Sequence, residues 1–388
     1  MRSLHGLLCA ALIVAFCNPA IADSTVDYSI GGGRTSNVFK DPTLLSSPFG
    51  EAKLAFRGSL SLEDAQLAYG LTASVRRIAR YHFADERRAG VEIGYMRELG
   101  EGVKLTLKAG IEHRRDGDLF LALPGLLIGY SKADIAGAAS AGITAEHGGG
   151  KSHFTAALSS LDRGKVDFTL AGLPRTQLEA DNRLFDLTAG HIRPLLGGEI
   201  GATLQYRTNR IPAGQQDRLG RYPAHALRGS LAYGRTFAEA VTLMAEAGVL
   251  RIGSPELGRT VEQSRPFLKA ELAVQLPRDT IFKAKLARDI QLADIDDPLG
   301  EDVRTVGLSL ETALTEKLKL GLAFEHAYSD WLYYDYRTHT TATTATLTYT
   351  LAKGAAVALE YSHLVRRETD KAADFKVDGL AMRLSGSF

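Results

Sequence analysis

Leu380-Ala381-Met382-Arg383-Leu384-Ser385-Gly386-Ser387-Phe388 is the stretch on which the fold turns. Even positions carry Leu380, Met382, Leu384, Gly386 and Phe388, and odd positions carry Ala381, Arg383, Ser385 and Ser387. Strict period two gives one strand an apolar face and a small or polar face. At an open sheet edge in water, that apolar face invites aggregation. Closing the sheet into a membrane barrel removes the edge and turns the apolar face to lipid. A terminal strand of a soluble sandwich alternates in the same way, so the rest of the chain has to decide.

The alternation recurs about every 20 residues and predicts an all-β chain of about 18 strands, with roughly 16 to 20 as the range. Segment 102–113 sets Val103, Leu105, Leu107, Ala109 and Ile111 against Lys104, Thr106, Lys108, Gly110 and Glu112. Segment 317–328 sets Leu318, Leu320, Leu322 and Phe324 against Lys319, Gly321, Ala323 and Glu325. Alternation alone does not say which face is inside. Connection lengths do: tight turns such as 62–64, 100–101 and 195–197 alternate without a break with longer segments such as 34–48, 210–224 and 291–301. Short periplasmic turns and long extracellular loops are the asymmetry of a transmembrane antiparallel β-barrel. The weakest stretch is 114–181. Leu119 to Ile128 is unusually apolar for an external loop, which predicts either a further strand pair or a segment such as 114–130 folded into the barrel mouth.

Residues 1–22 read as a secretory leader. Arg2 and His5 precede an apolar run from Leu7 to Phe16, and Ala20-Ile21-Ala22 supplies small residues for cleavage. The run is too short to span a bilayer as a helix. Both cysteines, Cys9 and Cys17, lie in this leader. The barrel portion, 23–388, therefore carries no disulfide and no thiolate metal site. The formal charge of +1 gives no reason to expect nucleic acid as a partner. Export without disulfides, in a chain built of alternating strands, points to the outer membrane of a Gram-negative envelope.

In this register Lys53, Arg57, Arg76, Lys104, Lys108, Arg207, Lys269, Lys283, Lys285, Lys319 and Arg383 line the lumen, together with Glu92, Glu98, Glu112, Glu199, Glu246, Glu271, Glu311, Glu325 and Glu360. They predict either a hydrated channel with a slight basic excess or ion-pair ladders filling a closed interior. Twin arginines at Arg76-Arg77, Arg87-Arg88, Arg114-Arg115 and Arg366-Arg367 fall near the outer rim. They read as a basic funnel for an acidic polymer, or as contacts to the anionic head groups of lipopolysaccharide. Trp331, Tyr333, Tyr334 and Tyr336, with Tyr328, surround one outer loop, as sugar-stacking rings or as part of an interfacial girdle. Asp294-Ile295-Asp296-Asp297 lacks the spacing of a calcium loop and reads as solvated. Gly31-Gly32-Gly33 and Gly148-Gly149-Gly150 precede no helix and read as flexible backbone. The ten histidines show no pair at metal spacing, and no nucleophile elbow or triad spacing stands out. The reading is a non-enzyme without metal or cofactor.

Tyr28-Ser29-Ile30-Gly31 followed by Thr35-Ser36-Asn37-Val38-Phe39, and Tyr361-Ser362-His363-Leu364-Val365-Arg366-Arg367 leading into the final strand, resemble a family of β-barrel porins often linked to exopolysaccharide gene clusters. The likeness rests on pattern over most of the chain. It implies a passive outer-membrane exit for a polysaccharide, driven from the inner membrane and periplasm, with a periplasmic export protein and the polymer as partners. Leu380, Met382, Leu384 and Phe388 would be presented to the barrel-assembly machinery. The final strand departs from the usual signal in having Leu384 and Gly386, not aromatics, before Phe388. A general diffusion porin for small solutes and a non-conducting structural or adhesive barrel remain alternatives.

Overall fold

The structure, a computed structural model, describes residues 23–117, 128–169, 172–254, 261–292, 297, 299–351 and 354–388. The expected leader with its expected cleavage position near Ala22, Leu119 to Leu127 and Asp294 to Asp296 lie outside the described residues. In chain order the strands are β1 (Asp23–Thr35), β2 (Ser47–Ser61), β3 (Ala65–Ile78), β4 (Glu86–Gly100), β5 (Val103–Asp116), β6 (Gly129–Ser131), β7 (Asp134–His147), β8 (Gly150–Asp162), β9 (Val166–Phe168) and β10 (Asn182–Leu195). They continue as β11 (Gly198–Arg210), β12 (His225–Phe237), β13 (Val241–Ser254), β14 (Val261–Leu276), β15 (Thr280–Leu292), β16 (Gly300–Ala313), β17 (Leu318–Trp331), β18 (Arg337–Thr350), β19 (Ala356–Glu368) and β20 (Phe375–Ser387).

Eighteen of these pair antiparallel in one sheet, and β20 pairs with β1 from Asp27↔Ser387 to Thr35↔Gly379 to close it. The remaining two, β6 and β9, pair with each other. They form a small ribbon tying the connection after β5 to the one after β8. This ribbon stands outside the circuit, and the strand pair expected within Leu119 to Ile128 falls almost wholly outside the described residues. Followed strand by strand, the register returns to β1 displaced by about 22 residues. With strands about 4.8 Å apart and a rise of about 3.3 Å per residue, that stagger tilts the strands by about 40° and sets a backbone diameter of roughly 35 Å.

The apolar rows point outward. Ile30, Val91, Ile93, Ile111, Phe154, Leu158, Leu204, Leu231, Val249, Leu380 and Met382 are all exposed, and Phe388 is 71% exposed. Apolar surface spread around the whole circuit is untenable for a soluble monomer and is what lipid requires.

Closure depends on two glycines of β1. Gly31 lies opposite Arg383 and Gly33 opposite Ala381. A Cβ on Gly31 would stand 2.5 Å from the Met382 carbonyl oxygen. The triplet expected to be flexible backbone is therefore ordinary strand that needs close approach. Nearby, Tyr28 sits opposite Gly386, where a Cβ would meet its hydroxyl at 2.6 Å, and its ring lies 6.1 Å from that of Phe388. The aromatic absent from positions 384 and 386 is supplied by the neighbouring strand. Phe388 and Val26 exchange two backbone hydrogen bonds of 2.8 and 3.1 Å.

Candidate channel interior

The interior wall is built by the period-two rule, because every residue between two outward apolar side chains must point inward. The register places Lys53 and Arg57 on the interior face of β2, Arg76 on that of β3, Glu92 on β4, and Lys104, Lys108 and Glu112 on β5. Arg207 follows on β11, Lys269 and Glu271 on β14, Lys283 and Lys285 on β15, Lys319 and Glu325 on β17, Glu360 on β19 and Arg383 on β20. Many of these charges are matched. Arg383 donates to Glu51 and, at 2.7 Å, to Glu360. Lys285 meets Glu325 at 2.5 Å, Arg57 meets Asp27 at 2.9 Å, Lys104 meets Glu98 at 3.3 Å and Lys269 meets Glu271 at 3.1 Å. Lys108 and Lys283 are exposed and make no ion pair among the described residues. The slight basic excess read from the sequence overlooked Asp27, Glu51 and Asp289, so the interior is closer to charge balance.

Each twin-arginine dipeptide sits at the outer end of its strand and splits across the wall. Arg76, Arg88, Arg114 and Arg366 point inward, and each has a carboxylate: Glu86 at 3.6 Å, Asp116 at 3.1 Å, Asp134 at 3.6 Å and Glu368 at 2.7 Å. A funnel of uncompensated positive charge therefore does not form from them. Arg77, Arg87, Arg115 and Arg367 occupy the outward face, where Arg115 also donates to the Ser131 carbonyl.

One part of the wall leaves the circuit. Pairing of β14 with β15 stops at Leu268↔Arg288, whereas β14 stays paired with β13 out to Val261. Beyond that point β15 turns inward. Arg207, on β11, donates to Asp289 at 3.0 Å although four strand intervals separate them along the wall. Ile290 and Leu299 pack with Ala226, Leu250 and Ile252 of the inner wall and with Leu332. Leu292 reaches the cavity lined by Glu92, Glu112, Ser159, Leu161 and Leu184 on the far side. The outer end of the β15–β16 hairpin thus crosses the mouth. Pro266 is the sequence signal for it: proline has no N–H to give a ladder and belongs at a free edge. Whether 114–130 also enters the mouth falls largely outside the described residues.

Asp297 fastens this hairpin. Its carboxylate is fully buried and accepts from the backbone N–H groups of Leu299, Gly300, Tyr333 and Tyr334 at 2.8 to 3.0 Å. It is a structural knot, not the solvated side chain expected. The knot also gathers the aromatics. Trp331 lies 4.5 Å from Tyr336 and 6.3 Å from Tyr334 between ring centroids, and Tyr333 meets Tyr334 edge-on at 5.0 Å. Tyr333 and Tyr334 remain about half exposed at the mouth. These four rings therefore pack on one another, while Tyr328 alone points outward beside His339. Burial, and then donation to Glu368, push the Tyr336 hydroxyl up to about 12, so it stays a donor at any physiological pH.

A second apolar cluster lies at the outer ends of β2, β3 and β20. Phe49, Ile78 and Ala381 pack with Val38, Tyr81 and Ala84. Asn37, almost fully buried, donates to the carbonyls of Asp41 and Lys376 and so pins the β1–β2 connection to the start of β20. The segment 35–39, singled out by resemblance only, is thereby anchored at the outer rim.

No protein-family model matches the chain, and no curated protein matches it. Solved structures do. OccK2 (OpdF) from Pseudomonas aeruginosa, in complex with glucuronate, aligns with a TM-score of 0.53 at 11% identity, over 96% of this chain and all of its own. The outer membrane protein OpdK from Pseudomonas aeruginosa aligns with a TM-score of 0.51 at 11% identity, over 95% of this chain and all of its own. FpvAI, from its complex with pyocin S2, aligns with a TM-score of 0.51 at 10% identity over 91% of this chain, which spans only 58% of FpvAI. The fold is that of outer-membrane β-barrels.

Proposed function

We propose that the chain is a passive outer-membrane channel for small water-soluble solutes. The observation that carries this reading is the crossed mouth. An interior face rich in charged side chains surrounds an aqueous space, and the β15–β16 hairpin narrows its outer end. Such a passage admits small solutes more readily than a polymer. OccK2 in complex with glucuronate and OpdK with vanillate pair the same fold with small carboxylates. Export of a polysaccharide has only the family resemblance behind it. The near balance of paired interior charge favours weak ion selectivity over a dedicated anion path.

Planar-bilayer recording tests this. The purified barrel is expected to conduct in discrete steps, and liposomes containing it should swell in monosaccharides but not in long oligosaccharides. Lys108→Glu with Lys283→Glu removes two uncompensated cations and should move the permeability ratio toward cations by about threefold. A folded but silent barrel would sink the channel reading. Equal swelling in short and long sugars would return the polymer conduit to first place.

A further inference from the structure

We propose that the outward face of β10 and β11 holds a phosphate-binding site for an outer-leaflet glycolipid, with Arg183 and Arg210 as its clamp. The two residues are directly opposite each other in the ladder, at the outer ends of their strands. Both lie on the outward rows that carry Phe185 and Leu187 on β10 and Leu204 and Tyr206 on β11. Like charges placed directly opposite on one sheet face repel. The chain answers that problem elsewhere: Arg288 and Arg304 also stand opposite each other, and buried Asp302 bridges them at 2.6 and 3.5 Å. Arg183 and Arg210 have no such carboxylate. Both are exposed and make no ion pair or side-chain hydrogen bond among the described residues. Asp162, the outward acid at the end of neighbouring β8, pairs with neither.

Two facing guanidinium forks suit a phosphate, which accepts bidentate bonds from each and cancels their repulsion. The surroundings select a lipid over a free anion. Toward the membrane the same face is apolar and exposed at Leu158, Phe185, Leu204 and Leu231, over a span that acyl chains can cover. Outer-leaflet lipopolysaccharide carries phosphates on its acylated sugar base at this depth. A soluble phosphate would have no use for the apolar rows below the clamp.

Native mass spectrometry of the folded barrel in detergent tests this with three probes: bisphosphorylated lipid A, its dephosphorylated form and inorganic phosphate. Lipid A should be retained, the dephosphorylated form should bind about tenfold less, and inorganic phosphate should not compete at equal concentration. Arg183→Gln with Arg210→Gln should lower lipid A retention to the level of the dephosphorylated form, while single-channel conductance stays unchanged because neither residue faces the lumen. Equal retention of both lipid forms by the unaltered protein would overturn the proposal even if the variant failed to fold. So would a folded variant that keeps lipid A as the parent does.

Discussion

Gly33→Val is expected to abolish the barrel. The added Cβ would fall under 3.0 Å from the Leu380 carbonyl oxygen and 2.8 Å from the Ala381 Cα, and both are backbone atoms of the closing strand. A backbone neighbour cannot rotate away as a side chain tip can, so β1 and β20 must separate. Their ladder runs from Asp27↔Ser387 to Thr35↔Gly379, and losing it leaves two unpaired edges in lipid. Each buried unsatisfied group there costs several kcal/mol, of order 2 to 7. The measurement is the mobility difference between heated and unheated protein in detergent gels, which a closed barrel shows and an open one lacks. Gly50→Val is the control, since its Cβ would meet nothing within 4 Å. It should fold as the parent does. A Gly33 variant with normal mobility would show that the β1–β20 seam has room to relax.

Asp297→Ala should open the channel while leaving the wall intact. Four backbone donors lose one buried carboxylate, and bonds to a charged acceptor are worth about 1.5 to 3 kcal/mol each. The lower part of β15 and β16 is held by its ladder from Ile281↔Glu311 outward and does not depend on this knot. The loss therefore falls on the inward end of the hairpin and on the β17–β18 connection. Conductance should rise about twofold and become noisier as Leu292 and Leu299 leave the mouth, because a fixed constriction is traded for a mobile one. Asp297→Asn keeps one acceptor oxygen and should fall between the two. A folded Asp297→Ala barrel with unchanged conductance would show that the hairpin does not limit flow.

Much of this fold was legible because a strand that faces lipid on one side and water on the other must alternate, and the alternation survives in almost every segment. The same rule already implied that Arg76-Arg77 or Arg366-Arg367 must split across the wall, one arm to each face. The carboxylates that answer the inner arms come from other turns of the ladder, as with Arg114 and Asp134, so their presence needed the register. The inward hairpin was not legible by periodicity, since Ile290 and Leu292 alternate as well as any wall residue. Only Pro266 marked the place. Asp297 misled because one acidic side chain in an acidic run looks solvated unless its backbone partners are known. Among the aromatics, Trp331 occupies an interior position of β17 while its loop neighbours fold over it, an arrangement that composition does not reveal.

The stagger of the circuit also sets how tall the wall is. A strand of 14 residues such as β3 or β16, tilted by about 40°, rises roughly 35 Å. The lipid-facing apolar band of such barrels is about 25 Å tall. Roughly 10 Å of sheet, shared between the two rims, therefore stands clear of the hydrocarbon and has no duty to seal it. The parting of β14 from β15 begins at Arg288, four residues from the end of its strand. The inward turn is confined to the outermost rungs of one rim, so a barrel of this stagger reshapes its entrance where the wall is least needed against lipid.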